Sequence, residues 1–262
     1  MYRAQRCRDL GRCCAACPYD AISFAAGTTG PPHIDRSICS SCSTFDCAGA
    51  CFSEALTVSG RSITVDELLR ILERDRNFWG PGGGVTFGGG EPLLQRDFTL
   101  AALDACRSQL MHTAMETSAH VPRNDLMSAL ERLEWLFVDI KHMDPDIHRE
   151  GTGVDNRLIL DNIAAAADSG WQGRLVVRIP IVPGFNDDPG NSEATAEFLA
   201  DHGVGEVHLV PFHRLGASKY HQLGLSWPFE NMPSPTASTM QRHAAVFQVK
   251  DITCHIGSNT PF

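Results

Sequence analysis

From residue 62 onward, short apolar runs alternate with stretches of helical period. Thr64 and Glu67 are spaced as a capping box. Val65, Leu68, Leu69 and Leu72 recur behind them on one helical face, so the pattern predicts a helix opening at Thr64. Runs of strand length follow at 84–87, 112–116, 135–140, 175–179 and 206–210, with a last one at 252–256. Between them lie helical faces such as Leu126, Leu130 and Leu133, or Leu160, Ile163 and Ala167 ending at Gly170. Strands that alternate with helices predict a parallel sheet, and about five such units suggest a barrel or partial barrel. Residues 1–60 read differently, with little helical periodicity and two strand-like runs, 21–24 and 55–58. The expected organisation is a small domain over 1–60 and an α/β domain over 61–262.

Composition narrows the function. The formal net charge of −9 argues against a nucleic-acid or anionic-membrane binder, because both need a basic surface. No apolar run approaches the ~20 residues of a bilayer span, and the polar, basic start does not read as a signal peptide. The expected location is cytoplasmic. Eight of the ten cysteines fall between Cys7 and Cys51. Dense thiols in a chain of this size favour metal over a disulfide scaffold.

The cysteine spacing is specific. The second motif reads Cys39-x2-Cys42-x4-Cys47-x3-Cys51, and the first Cys7-x5-Cys13-x3-Cys17-Pro18. The phrases that follow them, Pro-Tyr-Asp-Ala-Ile and Phe-Ser-Glu-Ala-Leu, are also alike. The pair resembles the bacterial two-cluster ferredoxin repeat, in which each fourth cysteine serves the other repeat's cluster. On that pattern one 4Fe-4S cluster takes Cys39, Cys42, Cys47 and Cys17, and the other takes Cys7, Cys13 and Cys51. Leu10 stands where the first repeat needs its second cysteine, leaving adjacent Cys14 as the nearest spare thiol and a three-iron, labile or absent cluster as alternatives. Close cysteine pairs also suit zinc. Cys106 and Cys254 fall on apolar faces and read as inert core thiols.

The stretch Gly82-Gly-Gly-Val-Thr-Phe-Gly-Gly-Gly-Glu-Pro-Leu-Leu-Gln95 places glycines at a strand tip, where backbone must approach something closely. Gly89-Gly90-Glu91-Pro92 is similar to the Gly-Gly-Glu-Pro motif of radical S-adenosylmethionine enzymes. The longer phrase resembles that of glycyl-radical-enzyme activating enzymes, the pyruvate formate-lyase activase group. Further matches follow in order: Glu116-Thr117-Ser118, Asp139-Ile-Lys141-His-Met-Asp144, His148, Thr152-Gly-Val-Asp-Asn156, Arg178-Ile-Pro-Ile-Val-Pro-Gly-Phe-Asn186, and Pro211-Phe-His213-Arg-Leu-Gly216 with Lys219-Tyr220.

The resemblance implies a partial (β/α)6-type barrel with its site at the carboxyl ends of the strands. It implies reductive cleavage of S-adenosylmethionine to a 5′-deoxyadenosyl radical, which abstracts hydrogen from a glycine of a partner glycyl radical enzyme. A flavodoxin- or ferredoxin-type protein would be the reductant. By position, Gly89, Gly90 and Glu91 would hold the methionine ammonium. Glu116, Thr117 and Asp139 would lie near the carboxylate end, with a monovalent cation as a further ligand. Lys141 would pair with the carboxylate, and His213 would lie by the adenosine. A structural Asp139–Lys141 ion pair is the plain alternative, and Arg178 divides between substrate contact and strand-end packing. The family's Cys-x3-Cys-x2-Cys loop, which binds the radical-generating cluster, is absent from these 262 residues. The expectation is therefore a barrel lacking its first strand and not competent alone. A start placed too far downstream is the leading account, with a degenerate fragment or a cluster-bearing electron carrier as the others.

Overall fold

A computed structural model describes residues 1–24, 30–80 and 82–258. It falls into two compact units. The first joins Met1–Ser62 to His213–Met232, and the second comprises Ile63–Phe212 and the chain from Pro233 onward. The linear division at 60/61 does not include the later segment in the first unit. Polar contacts tie it there: the Gln222 carbonyl accepts from the Tyr2 N–H at 2.9 Å and from Arg36 Nη2 at 3.1 Å.

In the first unit, β1 (Ile22–Ser23) and β2 (His33–Ile34) pair antiparallel, with Ile22 opposite Ile34. The run 21–24 therefore contains a strand. The run 55–58 does not, since Leu56 makes only an isolated bridge to Tyr2. The reason is local: the Leu56 N–H is taken by Cys51 Sγ at 3.3 Å, which curls the chain back onto the cysteine before a ladder can extend. Cys17 Sγ accepts from the Ala21 N–H in the same way, also at 3.3 Å. The small core is Cys13, Ile22 and Leu56, with Tyr2, Phe24, Ile34 and the thiols of Cys14, Cys17, Cys47 and Cys51 packed against it.

The second unit opens with the helix Val65–Asp75, whose Thr64–Glu67 capping box is formed as the sequence predicts. Six parallel strands follow: β3 (Gly84–Phe87), β4 (His112–Thr117), β5 (Trp135–Asp139), β6 (Arg174–Ile181), β7 (Glu206–Pro211) and β8 (Thr253–Ile256). They lie side by side in chain order, each joined to the next through a helix, as in a partial barrel. Alternate residues such as Met115, Leu136, Val138, Val177, Ile179, Val207 and Leu209 are buried in one core with the helices. Each such side chain contributes about 1.5–3 kcal/mol by leaving water. In the helix Arg157–Asp168 the buried face is Ile159, Asn162, Ile163 and Ala166; Leu160 and Ala167 are only half-buried. The face is turned because the Asn162 amide must reach the backbone beyond β4, donating to the Ala119 and Val121 carbonyls at 2.9 Å each.

The opposite face of the sheet is polar at both ends. Near the amino ends, the Arg174 guanidinium lies 4.7 Å from the centre of the Trp135 ring and pairs with Glu206, which His255 also contacts at 2.7 Å. Near the carboxyl ends stand Glu116, Asp139, Arg178 and His208, with Asp139 opposite Arg178 and Arg178 opposite His208. No helix among the described residues is long and apolar enough to cross a membrane.

Candidate functional site

Glycine chemistry governs the exit from β3. Gly89 has φ +110°, a conformation that only glycine adopts cheaply, and around Gly90 a Cβ would meet nothing within 4 Å. The backbone here is therefore open to close approach. Glu91 then turns back to β4. Its carboxylate accepts from Thr117 Oγ1 at 2.8 Å, from the Ser118 N–H at 2.9 Å, from Ser118 Oγ at 2.8 Å and from the Leu93 N–H at 3.3 Å. Glu91 is thus a clasp between the tips of β3 and β4. Beside it, buried Ala119 is held at φ +55°, its N–H donating to Thr117 Oγ1 at 2.9 Å. A non-glycine residue there costs of order 1 kcal/mol or more, which the surrounding bonds offset.

A row of charge crosses the next strands. Arg178 Nη1 of β6 meets Glu116 Oε2 of β4 at 2.7 Å, and its Nε stands 3.8 Å from Asp139 Oδ1 of β5. That Nε is buried and makes no hydrogen bond, so the row has a donor to spare. Lys141 Nζ pairs with Asp139 Oδ2 at 2.8 Å, the ion pair weighed as the plain alternative from the sequence. Arg178 is therefore bound into the site from both sides.

Three buried asparagines hold the loop that carries Lys141. Asn186 Nδ2 donates to the Lys141 carbonyl at 2.7 Å and the Pro180 carbonyl at 2.6 Å, while its Oδ1 accepts from the Val182 N–H at 2.7 Å. Asn156 Nδ2 donates to the His142 and Met143 carbonyls, and Asn191 Oδ1 accepts from the Met143 N–H. The sequence reading gave none of the three a role. Their signal was weak, because an asparagine in a loop usually reads as turn chemistry.

Between these loops lies a cleft of 360 Å³ whose lining includes Glu91, Ser118, His120, Asp139, Lys141 and His148. That volume lies within the range of about 300–1,000 Å³ typical of small-molecule sites. His148 is buried, its Nδ1 is 2.7 Å from the Val154 carbonyl oxygen, and burial pushes its pKa down. Of the residues expected from the sequence, Gly89, Gly90, Glu91, Glu116, Thr117, Asp139 and Lys141 all gather at the carboxyl ends of β3–β5. His213 is exposed and belongs to the first unit.

The thiols of the first unit form two groups. Cys47 is pushed up in pKa by burial, then by the neighbouring thiols of Cys17, Cys39 and Cys42. Cys7, Cys13 and Cys51 instead line one small hollow together with Leu10, Gly11 and Arg12. Cys13 is raised to about 11 by burial and by Cys14. These are the two sets that the ferredoxin-like spacing groups together. Among the described residues, no three His, Cys, Asp or Glu side chains close around a single metal ion. A cubane needs its ligand sulfurs spread wider than one ion does. Cys106 is buried in the core and raised in pKa, and Cys254 packs against the same core with its thiol raised to about 12.

Residues 38–199 match the family model of the radical SAM superfamily. The chain is 40% identical over 250 residues to the 4-hydroxyphenylacetate decarboxylase activating enzyme of Clostridium scatologenes, covering 95% of this chain and 80% of that protein. It is also 40% identical over 227 residues to the isethionate sulfite-lyase activating enzyme of Desulfovibrio desulfuricans, covering 85% and 72%. Among solved structures, a domain of a pyruvate-formate lyase-activating enzyme from Bacteroides vulgatus superposes with a TM-score of 0.56 at 29% identity, over 67% of this chain and 99% of that one.

Proposed function

Since the chain belongs to the radical SAM superfamily, and within it to the activating enzymes of glycyl radical enzymes, we propose that its cleft binds S-adenosylmethionine by the amino-acid end. The observation that carries this reading is the meeting at one cleft of a clasped carboxylate, Glu91, and a cation just beyond a strand end, Lys141, with open glycine backbone directly before Glu91 in the chain. A zwitterionic amino acid needs an acceptor for its ammonium and a cation for its carboxylate. The carbonyls of Gly89 and Gly90 serve the ammonium, with the Glu91 charge behind them, because the Glu91 oxygens already accept from Thr117, Ser118 and Leu93. Lys141 serves the carboxylate, exchanging part of its bond to Asp139 for the ligand. Arg178 holds Asp139 and Glu116 in place while it does so. With Thr117 turned to Glu91 and Glu116 to Arg178, a monovalent cation is left out of the proposal.

In this family a reduced 4Fe-4S cluster cleaves S-adenosylmethionine, and the resulting radical activates the partner enzyme. No Cys-x3-Cys-x2-Cys stands among the ten cysteines, so the residues given do not supply that cluster's cradle and no step is derived through it. The thiols of the first unit fit two further clusters, one on Cys17, Cys39, Cys42 and Cys47 and one on Cys7, Cys13 and Cys51. Their role is to pass electrons from a small one-electron carrier of flavodoxin or ferredoxin type, in the cytoplasm. The partner is a glycyl radical enzyme. Its substrate is not chosen, because relatives of equal identity are named for partners of different chemistry.

Calorimetric titration with S-adenosylmethionine tests the cleft. Replacing Lys141 by Met is expected to weaken binding at least tenfold, since a hydrogen bond to a charged group contributes about 1.5–3 kcal/mol. Wild-type-like affinity in that variant would remove Lys141 from the site. For the activity, a reduced, oxygen-free preparation that also carries a Cys-x3-Cys-x2-Cys segment is expected to release 5′-deoxyadenosine. Release of none would overturn the enzymatic reading.

A further inference from the structure

The two thiol groups of the first unit are not equivalent. The repeat spacing groups four thiols, Cys17, Cys39, Cys42 and Cys47. The hollow lined by Cys7, Cys13 and Cys51 has three. Leu10 also lines it, at the position where the repeat spacing calls for a ligand. Leu10 is 61% exposed, so this side of the hollow faces water and not protein. The adjacent spare thiol, Cys14, is not among the residues that line the hollow. Asp9 is also outside the lining.

From this geometry we infer that the Cys7–Cys13–Cys51 site holds an iron–sulfur cluster by three thiolates, with the fourth corner open beneath Leu10 and its iron exchangeable. This rests on the proposal that both thiol groups carry clusters. A leucine side chain offers iron no lone pair, and the lining holds no fourth thiol, carboxylate or imidazole; its one hydroxyl, Ser53 Oγ, lies 3.6 Å from Cys51 Sγ, so the fourth iron is left to sulfide and solvent. When ferricyanide withdraws one electron from a four-iron cluster of charge +2, the site releases that iron as Fe(II). A three-iron cluster of charge +1 remains, all ferric, and charge balances. The four-thiolate site keeps its iron under the same treatment, because every corner is tied to the chain. One module therefore contains a fixed electron carrier and a cluster that gains or loses iron with the iron supply and oxidant level.

The test uses the full 262-residue chain, loaded with iron and sulfide without oxygen, then exposed to mild ferricyanide and desalted. Bound iron is counted and the electron paramagnetic resonance spectrum of the oxidised sample is recorded. The expected result is about seven irons per chain with the signal of an oxidised three-iron cluster. Adding Fe(II) with dithionite should raise the count to about eight and remove the signal. Leu10→Cys should hold about eight irons through ferricyanide and show no three-iron signal. Leu10 is exposed, so this replacement does not disturb the small core. Wild type that keeps about eight irons with no signal would overturn the inference, because Cys14 or Asp9 would then be supplying a fourth ligand. About four irons in wild type would instead overturn the two-cluster reading on which it rests.

Discussion

Asn186 is the residue whose loss should reveal how the site is held. It is fully buried, lies outside the cleft lining, and carries no charge. Changing it to Ala removes two donors, to the carbonyls of Lys141 and Pro180, and one acceptor, from the Val182 N–H. A hydrogen bond of this kind is worth about 1 kcal/mol net, and a buried partner left dry costs about 1–3 kcal/mol. Water can enter the vacated volume and satisfy part of the debt, so the expected loss is about 3 kcal/mol. For a unit of this size that is a fall of about 6–12 °C in Tm. Function should suffer separately, because the Lys141 carbonyl is one of the released groups and the Lys141 ammonium faces the cleft. Urea unfolding gives the stability term, and titration with S-adenosylmethionine at a temperature where the variant is fully folded gives the binding term. A variant within ~0.5 kcal/mol of wild type, with unchanged affinity, would refute the claim that Asn186 positions the β5 loop.

Other outcomes can be stated more briefly. Gly90→Ala should leave the unfolding midpoint within ~0.5 kcal/mol, since its Cβ meets no atom within 4 Å, yet weaken S-adenosylmethionine binding by blocking the backbone approach; unchanged affinity would show that the ligand does not lie there. Thr64→Ala removes the capping-box acceptor for the Glu67 N–H and should cost about 1 kcal/mol in urea unfolding without altering ligand affinity. His148, His208 and His243 are each shifted below the ordinary imidazole value of 6.5, chiefly by burial. Their neutral forms are the folded ones, so the unfolded chain takes up protons first as the pH falls. Stability should then be full above about pH 6.5 and decline below it; a urea midpoint that is flat from pH 7.5 to 5 would contradict this.

Much of the molecule could be read from the chain because its signals are local. Apolar runs marked all six parallel strands to within a few residues, and the Thr64–Glu67 spacing marked a helix start that the structure reproduces. The cysteine spacing grouped the thiols, and the glycine-rich phrase identified the tip of β3 as a place of close backbone approach. Each of these depends on neighbours within a few positions along the chain. The run 55–58 misled for a related reason: its residues suit a strand, but a thiol five residues back takes the Leu56 N–H.

The sequence by itself determined the order of elements, the identity of the ligand-capable residues and the departure at Leu10. Only the tertiary structure decided what those residues do to one another. Glu91 reads as a free carboxylate in the chain, yet folding brings it to Thr117 and Ser118, 26 and 27 positions away, and makes it a clasp. Arg178 divided between substrate contact and strand-end packing in the chain, and folding sets it opposite Asp139 and pairs it with Glu116. The role of Asn186 follows from the packing of two loops 45 residues apart. Likewise Cys14 stands next to Cys13 in sequence, yet only Cys13 of the two lines the hollow. Hydrogen bonds and ion pairs act over a few ångströms, and separation along the chain does not record which groups the fold will bring within that reach.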